Sequence, residues 1–200
     1  MKIIGITGPI GSGKSYVAEM MSKRGYPKID TDKVYHNLIS KGSKCTLALR
    51  GEFGDEIISA NGSVNREVLR NIVFSDEKKL RRLNEITHKF VTDEVDYLLR
   101  EHSEKGVKAV LVEVPMMFES GFDKKCDTVI CVVANESVRV SRLCERNDIS
   151  EEEAKFRIKK QKDVEFYIAN SNYIVYNNVN EDLDGQIDRL FEKIFEKKRI

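Results

Sequence analysis

Gly8-Pro9-Ile10-Gly11-Ser12-Gly13-Lys14-Ser15 decides the fold of this 200-residue chain. It fits the pattern G-x-x-x-x-G-K-[ST] of a phosphate-binding loop. Before it, Ile3-Ile4-Gly5-Ile6-Thr7 reads as a short buried strand. After it, Val17, Met20 and Met21 recur at helical spacing. The motif therefore stands between a strand and a helix, the context that gives it meaning. Glycines without Cβ let the backbone curl around a phosphate. Backbone N–H groups then converge on the phosphate oxygens, and the N-terminus of the helix adds a partial positive charge. In this geometry Lys14 is expected at the β- and γ-phosphates and the Ser15 hydroxyl on Mg²⁺.

The rest of the composition bounds the function. With 40% hydrophobic and 34% charged residues, the chain suits a single globular domain with room for a lid. A net charge of +1 argues against nucleic acid or an anionic membrane as the main partner. No apolar run approaches the roughly 20 residues that span a bilayer. The N-terminus enters a strand with no signal-peptide pattern, so a cytoplasmic protein is expected. Cys45, Cys126, Cys131 and Cys144 form no C-x-x-C pair and have no histidines at zinc spacing. They read as reduced structural thiols.

Further strands follow in order. Lys28-Ile29-Asp30 is a short one, and Thr31-Asp32 opens a helix with Val34, Tyr35, Leu38 and Ile39 as its apolar stripe. Asp32 admits two readings: an acid that caps or complements a helix N-terminus, or a carboxylate at the ligand-binding edge of a parallel sheet. From Lys41 to Asn65 the pattern weakens, and Asn61-Gly62 marks a turn. Arg66 to Phe74 reads as a short helix. Ser75 reads as the cap of a long one, running to about Arg100 with Leu80, Leu83, Ile86, Phe90, Val95 and Leu98 as its stripe. His88 lies near that stripe and by itself reads as structural.

Val107 to Val114 is a central strand ending at Glu113, which resembles a carboxylate that helps hold Mg²⁺, directly or through water. Pro115 stops the strand. Met116-Met117-Phe118 then reads either as loop packing or as an apolar wall for a second substrate. Thr128 to Val133 is the next strand. The helix after it carries Arg139, Arg142 and Arg146 on one face. Ser150-Glu151-Glu152-Glu153 is a capping box that opens a helix to about Gln161. A basic face of this kind reads either as solvated surface or, beside a nucleotide site, as a lid whose arginine swings over the phosphates, the stronger reading here. Tyr173 to Tyr176 is the last strand. An amphipathic helix carries Leu183, Ile187, Leu190, Phe191 and Ile194, before a charged run from Glu192 to Arg199. Strands alternating with helices predict an α/β fold, a parallel sheet of about five strands covered on both faces.

With these residues in view, the chain resembles the dephospho-CoA kinase family over nearly its whole length. The likeness rests on Thr7 to Ser15, Ile29-Asp30-Thr31-Asp32 with His36, and Arg66-x-x-Leu69 with Val73-Phe74. It continues through Leu83-x-x-Ile86-x-His88, Val114-Pro115-Met116-Met117-Phe118-Glu119, Arg142-x-x-x-Arg146-Asn147, Gln161 and Tyr173-Ile174-Val175-x-Asn177. The phosphate loop alone is common to many small kinases; the later motifs, in that order, are more specific.

The resemblance implies transfer of the ATP γ-phosphoryl group to the ribose 3′-hydroxyl of dephospho-CoA, with Mg²⁺ as cofactor. It implies Asp32 as general base, and Lys14 and Arg142 as the groups that neutralise the transferring phosphoryl. Gly11, Ser12, Gly13, Lys14, Ser15, Tyr16, Arg142 and Arg146 would bind ATP. Asp32, His88, Pro115, Met116, Met117 and Phe118 would bind the second substrate. A three-part layout is implied: a P-loop core (roughly 1–40, 107–137 and 171–200), a helical CoA-binding region (41–106) and a lid (138–170). Pro9, Tyr16, Lys89, Arg139 and Asn172 depart from the usual pattern, which weakens the carry-over of secondary roles around His88 and Arg139. The rival readings are another small nucleoside or nucleotide kinase and a nucleotide-dependent switch. No Asn-Lys-x-Asp run for guanine is present.

Overall fold

The computed structural model describes residues 1–74 and 76–195. Ser75 and residues 196–200, the end of the charged C-terminal run, lie outside the described residues. The chain divides into two compact units, one of Met1–Ile29 with Lys105–Ile200 and one of Asp30–Glu104.

The first unit is built on the sheet. Its strands are β1 (Lys2–Thr7), β2 (Lys28–Asp30, whose last residue opens the second unit), β3 (Ala109–Glu113), β4 (Thr128–Val133) and β5 (Tyr173–Tyr176). The order across the sheet is β2-β3-β1-β4-β5. β1 pairs in parallel with β3 and β4, and β4 with β5. Every residue of β3 is buried, as a central strand covered on both faces requires. Period-2 alternation sorts β4 cleanly. Ile130 and Val132 pack with Ile4 and Ile6 against α1 (Lys14–Ser22) and α9 (Leu183–Phe195), through Val17, Met21, Ile187 and Leu190. Cys131 and Val133 face the other way, against Tyr167 of α8 (Val164–Ala169) and Phe118. Gly5 is also on that second face, where any Cβ would run into Met117 and Cys126. These two covers make the three layers expected from the sequence.

The same unit carries α6 (Glu136–Asn147) and α7 (Glu151–Lys159). Val140, Leu143, Ala154 and Ile158 form a small core between them. The Ser150 half of the capping box is present, its hydroxyl accepting from Glu153 N at 3.2 Å, while the Glu153 carboxylate accepts from Arg157 Nη2 at 2.6 Å. α8 was not legible in the sequence. It is only six residues long, and its signal is one cap, the Asp163 carboxylate accepting from Phe166 N at 2.8 Å.

The second unit is helical: α2 (Thr31–Leu38), α3 (Lys44–Phe53), a 3₁₀ turn at Asp55–Ile57, α4 (Arg66–Phe74) and α5 (Glu77–Glu104). Its core joins Cys45, Leu49 and Phe53 of α3 to Ile57, Leu69 and Val73. The weak pattern read over residues 41–65 hid α3. Its three buried anchors do recur every four residues, but Thr, Arg, Gly and Glu between them blur the stripe. Ser43 caps it by accepting from Thr46 N at 2.9 Å. On α5 the buried positions are Thr87, Val95 and Leu99, while Leu80 at the first turn is exposed.

Candidate active site

Because the strands are parallel, the loops after β1, β3, β4 and β5 all leave from one edge, where open α/β sheets bind ligands. The phosphate loop leaves from β1. Gly11 and Gly13 both have left-handed φ, 78° and 85°, and both are also approached too closely for a side chain. A Cβ on Gly11 would lie 2.8 Å from Arg139 O, and one on Gly13 would overlap the Asn177 amide.

Every carbonyl from Gly8 to Ser12 accepts a hydrogen bond from a side chain. Lys14 Nζ donates to Gly8 O at 2.8 Å and Pro9 O at 3.2 Å. Arg139 Nε donates to Ile10 O at 2.9 Å. Arg142 Nη1 donates to Gly11 O at 3.4 Å and Ser12 O at 3.2 Å. Asn177 Nδ2 adds a second bond to Ser12 O at 2.8 Å. The negative ends of the peptide dipoles are thus turned toward donors. Amides at the start of α1, which helix geometry leaves without intrahelical acceptors, mark the loop as an anion cradle. Lys14 is a cation at the same place, and a phosphate oxygen entering the loop competes for its ammonium with the two carbonyls.

Arg142 is the best anchored of the three arginines. Its Nη2 also donates to Asn177 O at 3.0 Å. Asn177 is 5% exposed and is held to β4 by its own N–H on Val133 O at 2.8 Å. Arg139 is buried, and loss of solvation lowers its pKa, an effect that Glu136 and Tyr167 only partly offset. Arg146 is exposed and its Nε donates to the neighbouring Asn147 Oδ1 at 2.9 Å. The expected basic face therefore grades from buried to exposed along α6, and two of its three members bond to the loop.

Ser15 Oγ donates to Glu113 Oε1 at 2.5 Å, and Glu113 is 4% exposed at the end of β3. A hydroxyl and a carboxylate side by side are oxygen donors that suit Mg²⁺, which takes few protein ligands and fills its octahedron with phosphates and water. Among the described residues no cluster of three His, Cys, Asp or Glu offers an alternative metal cage. The residues present therefore fit the cation only as a partner of a bound polyphosphate.

The other expected site residues separate into groups. Tyr16 is 61% exposed on the first turn of α1. After β3, Pro115 is half-buried, Met116 is 55% exposed and Met117 is fully buried. Phe118 is half-buried, with its ring edge-on to Phe166 at 5.5 Å. Of the two readings of this stretch, packing holds for Met117 and for much of Phe118; Met116 presents the solvent-facing surface.

In the second unit the helix cap of α2 is Asp30, not Asp32. Asp30 Oδ1 accepts from Asp32 N and Lys33 N at 3.1 Å each. Asp32 sits exposed in the first turn, and His88 is exposed on α5. Sequence reasoning assigned no site role to Asn177 or Gln161, although both lie in motifs that it quoted, and it discounted Arg139 as a departure. Their work is done through loop backbone atoms, which no residue pattern displays.

The comparisons with known proteins agree along the whole chain. The family model described as dephospho-CoA kinase matches residues 2–182. A dephospho-CoA kinase of Fusobacterium nucleatum is 35% identical over 193 residues, covering 96% of this chain and 98% of that one. One from Staphylococcus aureus is 34% identical, covering 96% and 93%. Among solved structures, a Thermus thermophilus protein aligns at TM-score 0.83 and 28% identity, covering 98% of both chains. A shikimate kinase of Acinetobacter baumannii, at TM-score 0.56 and 13% identity with 100% of this chain and 96% of that one covered, shares the fold alone. A five-stranded sheet, a phosphate loop with its lysine and serine in place, and full-length likeness to these relatives lead to one conclusion: this chain belongs to the dephospho-CoA kinase family, a family of P-loop kinases.

Proposed function

We propose that this chain transfers the γ-phosphoryl group of ATP to the 3′-hydroxyl of the ribose in dephospho-CoA, giving coenzyme A and ADP. The observation that carries the reading is the loop from Gly8 to Ser12, with each carbonyl tied back to a side chain, in a chain that belongs to this family. Phosphoryl transfer runs through a loose transition state with charge on the equatorial oxygens, so the protein's task is positioning and charge stabilisation.

The ATP phosphates lie in the loop, against the amides of Gly11, Ser12, Gly13, Lys14 and Ser15, with Tyr16 beside them. Lys14 and Arg142 meet the charge that develops on the transferring group. Ser15, with Glu113 directly or through water, would hold Mg²⁺, which would supply charge neutralisation to the phosphates. Asp32 orients the ribose hydroxyl and takes its proton as the new O–P bond forms. The bond between the γ-phosphorus and the bridging oxygen breaks, and ADP leaves with that electron pair. His88, Pro115 and Met116 contact dephospho-CoA, with Met117 and Phe118 supporting that wall from below. Residues 138–170 act as a lid that excludes water and carries Arg146 toward the nucleotide. Water competes with the acceptor hydroxyl, and closure keeps it out.

The Asp32 assignment is supported by the capping role of Asp30, which leaves that duty already filled. The balanced net charge fits small anionic substrates rather than nucleic acid. Among the described residues no helix is long and apolar enough to cross a membrane.

The test is a mass-resolved assay of purified protein with MgATP and dephospho-CoA. Coenzyme A and ADP in equal amounts support the proposal. ADP with unchanged dephospho-CoA contradicts it.

A further inference from the structure

The tip of the phosphate loop is gripped from one side. Ile10 N donates to Gln161 Oε1 at 2.7 Å, and Ile10 O accepts from Arg139 Nε at 2.9 Å. The two bonds act on successive peptide planes, one through its N–H and the next through its C=O. The Ile10 side chain packs into the core of the α6–α7 pair, with Val140, Leu143, Ala154 and Ile158. Gly11 then passes so near α6 that a Cβ there would sit 2.8 Å from Arg139 O. Backbone bonds, apolar packing and steric approach all join residues 10 and 11 to the same two helices.

A buried guanidinium is costly, and Arg139 is 3% exposed. Its hydrogen bond is made to the loop rather than to α6 or α7. Gln161, two residues past the end of α7, is exposed and needs no partner for its own sake. Both side chains are placed as if the Ile10 peptides were their object. Gln161 occupies the Ile10 N–H, and Arg139 occupies the Ile10 carbonyl.

We infer that Arg139 and Gln161 are positioning residues for the ATP phosphates, and that they couple the loop tip to the near side of the α6–α7 pair. A nucleotide in the loop is then felt at α6 and α7. The inference rests on the proposed reading of the loop as the ATP site, and it is independent of which acceptor is phosphorylated.

The test uses the full chain with Gln161→Leu, Arg139→Met and the double variant. ADP affinity is read by calorimetry, KM for ATP and for dephospho-CoA by steady-state kinetics, and hydrogen exchange over residues 140–158 with and without ADP. Gln161→Leu changes an exposed side chain and keeps the fold. Each single variant is expected to weaken ADP binding and raise KM for ATP, about tenfold for Arg139→Met, which loses a charge-assisted bond, and about threefold for Gln161→Leu, whose bond is neutral and exposed. KM for dephospho-CoA stays within about twofold, and the double variant loses less than the product of the singles, because both hold one segment. ADP slows exchange over residues 140–158 in the unaltered chain and ceases to do so in the double variant. Unchanged ADP affinity in both single variants, with only the melting temperature lowered, overturns the inference. So does an equal rise in both KM values. A chain that shows the ADP effects but phosphorylates no dephospho-CoA sustains this inference while the proposed reaction fails.

Discussion

The phosphate loop and the α2–α5 region hold their candidate functional residues in opposite ways. In the first unit, Ser12 is fully buried, Asn177 is 5% exposed, and five successive loop carbonyls are tied by Lys14, Arg139, Arg142 and Asn177. In the second unit, Asp32 and His88 ride exposed on helix surfaces, and what is fixed beneath them is the helix itself, through the Asp30 cap and the apolar core of α3 and α4. A site made by many bonds fails in binding when one is cut. A residue displayed on a helix can lose its chemistry while the fold and the nucleotide remain. On the proposed reading, holding the donor falls to the first unit and activating the acceptor to the second.

That contrast can be broken most forcefully at Lys14. Lys14→Ala removes both a ground-state contact and a transition-state charge, so kcat/KM for ATP is expected to fall by more than the roughly 10²–10³-fold typical of one stabilising donor. Steady-state kinetics with ADP calorimetry checks it; unchanged ADP affinity would undo the placement of the donor. Asp32→Asn sharpens the other side. The expected loss is about 10²–10⁴ in kcat with KM for ATP held, measured in the same assay.

Core variants come next in size. Leu111→Ala in β3 and Leu49→Ala in α3 each delete a fully buried side chain and should cost about 2–5 kcal/mol in denaturant unfolding. At temperatures where both remain folded, Leu49→Ala should leave ADP affinity unaltered.

A pH effect is smaller. Burial raises the Cys131 thiol to about 12 from an ordinary value near 9.0, only partly opposed by Lys14. Burial also raises Cys45, to about 11. Below about pH 9 both the folded and unfolded chains keep these protons, and the contribution is fully present. Above it the unfolded chain releases them first, so stability falls as pH rises toward 11–12, by about 1.4 kcal/mol per thiol at pH 10. Urea midpoints from pH 8 to 10 should decline less steeply in Cys131→Ala. The smallest effect is expected from Ser150→Ala, which removes the α7 cap at about 1 kcal/mol, visible as faster hydrogen exchange in the first turn of α7.

Much of this was legible in the sequence because local chemistry announced it. The phosphate loop is a contiguous motif, β3 and β4 are apolar runs bounded by breakers, and the Ser150 box sits at the start of its helix. α3 and α8 escaped because one has a diluted stripe and the other has a single turn's worth of signal. Asp30 rather than Asp32 as the cap of α2 could not be separated by type, since either carboxylate suits an N-terminus; the backbone angle at Asp30, extended rather than helical, decides it. The roles of Asn177 and Gln161 depend on bonds to the backbone across 165 and 151 residues. Such bonds follow from tertiary packing: Asn177 comes from the end of β5, and Gln161 lies two residues past α7, whose core receives Ile10.

The most direct test of the division between holding and activating is transfer from ATP labelled with ¹⁸O in its γ-phosphoryl group, followed by mass spectrometry, in the unaltered chain and Asp32→Asn with ADP affinity measured alongside. Label is expected in coenzyme A from the unaltered chain, with near loss of label and intact ADP affinity in the variant. Label released as inorganic phosphate, or full transfer by Asp32→Asn, would contradict that division.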